Sequence, residues 1–62
     1  MMKNAEIKRT IWESRFRQYE IAEEIGISEY TFCRWFRREL SEEQKEQILN
    51  AITALRAGES NA

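Results

Sequence analysis

The chain has 62 residues and a net charge of −1, from ten Lys and Arg against eleven Glu, and it contains one cysteine, no histidine and no aspartate. A chain of this length forms a single domain, residues 1–62, and buries only about 60% of the surface that its unfolded form exposes. With Cys33 alone and no histidine, the sequence predicts no metal site, no internal disulfide and no catalytic constellation, so we expect no enzyme and no cofactor.

The sequence contains few signals for turns. It has no proline, only Gly26 and Gly58 as glycines, and no hairpin dipeptide such as Asn-Gly. We therefore predict an all-α fold of four short helices, at about 4–14, 18–25, 28–38 and 41–57. No apolar run approaches the roughly 18 residues of a membrane span, and the N-terminus lacks the apolar region of a secretory signal. These absences lead us to expect a cytoplasmic protein without membrane contact.

The first predicted helix has one apolar stripe. Asn4 is a candidate N-cap, and Ile7 and Ile11 are four residues apart on one face. Trp12 lies off this stripe, so it either packs against a second neighbour or is partly exposed, and we favour packing over a ligand-binding role. Residues 1–3 and 59–62 are predicted to be frayed ends.

A basic link follows the first helix. In Arg15-Phe16-Arg17 the phenylalanine is the expected inward anchor, and the two arginines point outward. With Gln18 they form a candidate cluster for DNA phosphates, because a basic residue beside a helix that crosses the DNA backbone is well placed to contact it. The alternative is that they are solubilising charges in a loop.

The central stretch predicts two helices joined by a tight turn. Ile21 and Ile25 continue a helical stripe that Gly26 ends, since glycine enters the left-handed region without steric cost. Ser28 can cap a second helix, and Glu29 places a carboxylate where the helix dipole favours negative charge. This is a helix-turn-helix pattern.

The second helix of this pattern has two unlike faces. At about 100° per residue, Phe32, Trp35 and Phe36 share one side, which should be buried. The other side carries Glu29, Tyr30, Cys33, Arg34 and Arg37. Such a stripe suits the DNA major groove, where arginine can pair with guanine, glutamate with cytosine, and small or aromatic groups can touch a thymine methyl. The alternative is an ordinary solvated face, and for Glu29 the dipole alone is a sufficient explanation.

The last predicted helix begins with a capping box, in which the Ser41 side chain bonds forward and that of Gln44 bonds back. Ile48, Ile52 and Leu55 form its apolar stripe, which Leu49 and Ala51 widen, and Gly58 is the predicted end. The simplest interpretation of the stripe is core. The alternative is a homodimer seam along helix 41–57, with Leu49 left exposed.

From Gln18 to Arg37 the sequence resembles the helix-turn-helix of the phage repressor and Cro-like family. That motif has glutamine first, alanine fifth and glycine ninth, and here those places hold Gln18, Ala22 and Gly26. Its apolar places, the fourth, eighth, tenth, fifteenth and eighteenth, hold Ile21, Ile25, Ile27, Phe32 and Trp35. The run from Phe32 to Leu40, followed by an acidic amphipathic helix, also resembles short regulators carried by phages and conjugative elements of Gram-positive bacteria.

This resemblance implies roles for individual residues. The first residue of the motif braces a phosphate, which here is Gln18, and the exposed face of the second helix reads bases. The candidate base-reading residues are therefore Ser28, Glu29, Tyr30, Cys33, Arg34 and Arg37. Arginines at the ends of the first helix and of the motif would hold phosphates, which adds Arg38 to Arg15 and Arg17.

Two functions compete. The first is sequence-specific binding of double-stranded DNA, by a transcriptional regulator of repressor type or a recombination accessory factor of a mobile element. The second is a helix-turn-helix protein-interaction module, an antirepressor or assembly subunit without DNA binding. Net charge slightly favours the second. Its distribution favours the first, since residues 1–38 hold eight Lys and Arg against six Glu, and residues 39–62 hold two against five. The reading face is clearly basic if Glu20, Glu23 and Glu24 point away from it.

Overall fold

The computed structural model describes residues 4–60, with side chains through residue 58. Four α-helices make up the fold, and no strand occurs in this part of the chain: α1 (Asn4–Ser14), α2 (Gln18–Ile25), α3 (Glu29–Trp35) and α4 (Glu42–Ser60). The predicted all-α class and the number of helices are confirmed. Of the predicted frayed ends, residues 59 and 60 belong to α4, and residues 1–3 and 61–62 lie outside the described residues.

The core lies between α4 and the three shorter helices. α4 packs against α2 and α1, and α2 packs against α3. The largest fully buried side chains are Phe32, Ile7, Ile21 and Ile48. The predicted aromatic side of α3 is therefore inward: Phe32 is fully buried, its ring meets that of Phe36 edge-on with centroids 5.3 Å apart, and Trp35 packs beside it.

The turn between α2 and α3 follows the sequence prediction. Gly26 has φ 97° and ψ 25°, in the left-handed region, and its amide donates to the carbonyl of Ala22 at 2.9 Å. Ile27 donates to the same carbonyl at 3.0 Å. Ala22 is buried where α2 meets its neighbours. The turn thus satisfies the last carbonyls of α2 and reverses the chain within three residues.

The beginning of α3 agrees with its prediction, but its end does not. The Ser28 hydroxyl accepts a hydrogen bond from the Thr31 amide at 3.1 Å, as expected for an N-cap. The helix then ends at Trp35, three residues before the predicted end at Arg38. Phe36 and Arg37 instead donate to carbonyls three residues back, which tightens the chain out of the α-helix.

Asn4 has a different role from the predicted one. It is the first residue of α1, and its side chain reaches the connection between α3 and α4. Its Nδ2 donates to the Arg38 carbonyl at 2.8 Å, and its Oδ1 accepts from the Leu40 amide at 2.9 Å. The prediction of a cap on α1 was wrong: the polar groups that this side chain satisfies belong to the chain after α3.

α4 starts as predicted and runs further than predicted. The Gln44 amide donates to Ser41 Oγ at 3.1 Å, and the Ser41 amide donates to Gln44 Oε1 at 3.0 Å, so the capping box is formed. Gly58 was predicted to end the helix, but the helix continues to Ser60. A glycine permits a left-handed ending without requiring one.

Candidate nucleic-acid interface

The outer face of α3, defined by Glu29, Tyr30, Cys33 and Arg34, is exposed. These four side chains are exposed, whereas Phe32 on the inner side of the helix is fully buried. Tyr30 is 67% exposed, which is high for an aromatic residue in so small a protein. Ser28 is also exposed, but its hydroxyl already serves as the cap of α3 and bonds the Thr31 hydroxyl at 3.0 Å.

Gln18 contacts this face from the neighbouring helix. The Cys33 thiol donates to Gln18 Oε1 at 3.4 Å, so the first side chain of α2 is joined to the middle of α3. The sequence placed the two residues in separate roles, one as a phosphate clamp and one as a base reader. The structure brings them together at the junction of α2 and α3.

Tyr30 and Arg34 also contact each other on the outer face. They are one helical turn apart, and the Arg34 guanidinium lies 5.7 Å from the centre of the Tyr30 ring. A guanidinium over an aromatic face is held by the quadrupole of the ring, with about 0.5–1 kcal/mol at an exposed site. The long Arg34 side chain is therefore oriented before any ligand arrives.

A depression on one flank of α3, here called the arginine groove, is lined by Thr31, Arg34, Arg37, Arg38, Glu39 and Gln44. Arg37 and Arg38 follow the last residue of α3, and both line this groove together with Arg34 and with Gln44 of α4. The groove thus brings three arginines together beside the outer face of α3.

A second depression lies on the other flank and is called here the tryptophan groove. The residues that define it are Lys8, Trp12, Phe16, Arg17, Gln18 and Glu29. Phe16 is half-buried and packs against the core, as expected for the anchor of the link. Arg15 and Arg17 are exposed beside it. The helix α3 is thus flanked on both sides by grooves that carry positive charge.

The cations of this surface are not neutralised within the described residues. The ion pair found there joins Lys45 and Glu42 at 3.6 Å on α4, away from α3. Five arginines were predicted to contact phosphates or bases, and none of them forms an ion pair with a carboxylate in the described part of the chain: Arg15, Arg17, Arg34, Arg37 and Arg38. Glu24 lies on the far side, where it lines a depression between α2 and α4.

Of the two alternatives for Trp12, the structure shows exposure, and the packing that we favoured was wrong. The side chain is 81% exposed. α1 buries Ile7 and Ile11 against the core, and within residues 4–60 no second neighbour covers Trp12. The sequence signal was the angular offset of Trp12 from this stripe, which fits exposure as well as packing.

Thr31 and Gln44, which line the arginine groove, were not predicted as site residues.

Residues 4–60 contain neither a membrane-spanning helix nor a cluster of metal-binding side chains. No helix there is both long and apolar enough to cross a membrane. No group of three or more acidic, cysteine or histidine side chains in that range could hold a metal ion.

No family model, no curated protein and no solved structure matches this chain.

Proposed function

We propose that this chain is a sequence-specific double-stranded DNA-binding protein, acting as a repressor-like transcriptional regulator or as a recombination accessory factor of a mobile element. The observation that carries the proposal is the surroundings of α3. An exposed face of polar, aromatic and basic side chains lies between two grooves with unpaired cations. A helix that enters the major groove lies between two phosphate backbones, so cations on both of its flanks are what such a position requires.

In this proposal the outer face of α3 reads the bases. Arg34, held over Tyr30, is the candidate for bidentate pairing with the O6 and N7 of guanine. Glu29 can accept from the N4 of cytosine, and Tyr30 and Cys33 can contact a thymine methyl. Ser28, exposed at the start of the helix, is the remaining candidate for a base contact.

The two grooves receive the backbones. Arg15, Arg17 and Gln18 take phosphates on one flank, with Gln18 held in place by its contact to Cys33. On the other flank Arg37 and Arg38 line the arginine groove. Arg37 was predicted as a base reader; because it lines the groove together with Arg38, we assign it a phosphate contact in this proposal. Bound protein would occlude polymerase or shape DNA for a partner, and neither outcome needs catalysis.

A homodimer remains part of the proposal, but not through the predicted stripe. Ile48 and Ile52 are buried in the core of the same chain, and Leu49 and Leu55 are half-buried against it. A seam along α4 would therefore use the residues that this core leaves exposed, such as Asn50 and Ala54. Two copies joined in this way would read half-sites one helical turn of DNA apart.

The alternative function is a protein-interaction module without DNA binding. The exposed Trp12 favours it, because aromatic residues are enriched in protein interfaces, and so does the acidic C-terminal part of the chain. Retention on heparin and on duplex DNA at low salt separates the two functions. A DNA-binding protein is retained and elutes as salt rises, whereas the interaction module flows through.

The decisive experiment measures binding to random duplex and to duplexes selected from a random pool, across a salt series. Arg34→Ala should cost about 1–3 kcal/mol on the selected site and much less on random DNA. Arg37→Ala should weaken binding to the selected and the random duplex by the same factor. It should also reduce the salt slope, the steepness with which the logarithm of the binding constant falls with the logarithm of the salt concentration, by about 1. Arg9→Ala is the matched control, since Arg9 is exposed on α1 and lines neither groove. Absence of duplex binding by the wild type even at low salt would rule out the proposal.

A further inference from the structure

Trp12 is the most exposed large hydrophobic side chain that the structure describes, at 81%, followed by Tyr30 at 67% and Tyr19 at 45%. It is not an isolated surface residue. The half-buried Phe16 and the exposed Tyr19 also line the tryptophan groove, so its lining includes further aromatic side chains beside the indole. An apolar patch bordered by charged groups marks a binding surface more often than single exposed side chains do.

The tryptophan groove is lined both by residues of the proposed reading site and by the indole. Gln18 and Glu29, at the junction of α2 and α3, form one part of its lining, and Trp12 on α1 forms another. Lys8 lines the same groove, with Nζ 5.6 Å from the centre of the Phe36 ring. The indole also lines a second depression, whose lining includes Arg15. Both depressions that the indole borders therefore contain basic side chains.

We infer that the tryptophan groove receives the sugar-phosphate backbone of one DNA strand, with the Trp12 indole packed on deoxyribose and Lys8 and Arg17 on the adjoining phosphates. This inference rests on the proposed function and extends the interface from α2 and α3 to α1. Gln18 and Arg17, which are proposed to hold one strand beside α3, line this groove together with Trp12, so the same strand can extend to α1. Two cations, Lys8 and Arg17, line the groove with a single carboxylate, that of Glu29, and the net positive charge favours a polyanion such as the DNA backbone. The adjoining depression adds Arg15 and Glu13.

The contact carries no base information, because deoxyribose and phosphate are the same at every position. Trp12→Ala should therefore weaken binding to selected and random duplexes by the same factor, about fivefold, which corresponds to burying a few tens of Å² of apolar surface. Its salt slope should equal that of the wild type, since no charge is removed. Lys8→Gln should instead reduce the slope by about 1. Tyr30→Leu is the contrasting control and should change the ratio between selected and random duplex.

Acrylamide, which quenches exposed indoles, gives a second measurement. In the free protein Trp12 should be quenched readily, and saturating duplex should shield it. Trp12→Phe retains only the half-buried Trp35 and identifies which part of the signal belongs to Trp12. Because the Trp12 side chain lies outside the core, these variants should unfold at the wild-type temperature, and this is to be checked in the same samples.

The outcomes separate this inference from the proposed function. If the wild type binds duplex, but Trp12→Ala binds equally well and Trp12 stays accessible to acrylamide, the inference is wrong and the proposed function stands. If Trp12→Ala leaves DNA affinity unchanged and abolishes self-association in sedimentation, the indole covers a protein interface, which also overturns it. If the wild type binds no duplex, both proposals fail.

Discussion

The turn before α3 and the turn after it are held by contacts of different range. Before α3, Gly26 adopts φ 97° and Ser28 Oγ accepts from the Thr31 amide at 3.1 Å, so every contact lies within a few residues. After α3, the Arg38 carbonyl and the Leu40 amide are satisfied by the side chain of Asn4, which is 34 and 36 positions away. The first turn can form as α2 and α3 form. The second requires α1 to be docked.

This difference bears on the two halves of the proposed interface. The orientation of the outer face of α3 depends on the local turn and on the burial of Phe32. The position of Arg37 and Arg38 depends on the Asn4 contacts, because these hold the backbone that carries both arginines. Base reading and phosphate binding on the arginine side should therefore respond to different substitutions.

The largest effect is expected for Asn4→Ala. It removes two hydrogen bonds between α1 and the α3–α4 connection and should lower the free energy of unfolding by about 1–3 kcal/mol, at roughly 0.5–1.5 kcal/mol per bond. Chemical denaturation measures the loss, and the Leu40 amide should exchange with solvent faster. Thr10→Ala is the control, since it removes one exposed bond inside α1, from Thr10 Oγ1 to the Glu6 carbonyl. Equal losses in the two variants would contradict the long-range role of Asn4.

Gly26→Ala should have the next largest effect, about 1 kcal/mol of destabilisation. A Cβ at Gly26 would meet no atom within 4 Å, so the cost is conformational: about 1–2 kcal/mol for the left-handed region, partly offset by the lower entropy of the unfolded chain. Gly26→Asn, which enters that region more easily, should lose less. If both variants unfold at the same denaturant concentration as the wild type, the left-handed glycine does not limit the stability of this turn.

The same difference explains how far the sequence alone could predict this molecule. Gly26, Ser28, Ser41 and Gln44 act on neighbours within four residues, so their roles follow from local spacing. The Asn4 contacts could not be predicted in this way, because they depend on how α1 docks. The end of α3 at Trp35 was missed too, since no glycine or proline marks it. The bonds that replace the helix there are local, and the long-range contact is the one that Asn4 makes to the Arg38 carbonyl.

The candidate site likewise has one part that local spacing predicts and another that depends on how the helices pack. The outer face of α3 was predictable, because burial of Phe32 fixes which residues point outward. The grooves were not, because each gathers residues from several helices. Trp12 illustrates the limit: periodicity gave its angle to the Ile7 and Ile11 stripe, but only the packed structure decides whether another helix covers that angle.

The smallest effect on the free energy of unfolding is expected at the junction between α1 and α2. This junction also allows a direct comparison with the turn at Gly26. Arg15 adopts φ 67°, the same left-handed region as Gly26, although it has a side chain. The Arg15 amide closes the end of α1 by donating to the Trp12 carbonyl at 3.2 Å. Strained backbone of this kind costs about 1–2 kcal/mol and persists when the surrounding structure holds it, often at functional sites.

Arg15→Gly should therefore raise the free energy of unfolding, by about 0.5 kcal/mol once the greater entropy of the unfolded chain and the lost charge at the end of α1 are subtracted. It should also weaken binding to random duplex and reduce the salt slope by about 1. Arg17→Gln, at a residue with ordinary extended backbone (φ −80°), should weaken binding similarly without the gain in stability. A more stable Arg15→Gly protein with wild-type DNA affinity would show that this arginine only ends a helix. If the Arg15→Gly protein is more stable and binds DNA more weakly, the Arg15 side chain binds phosphate. That contact would explain why an arginine occupies the left-handed turn.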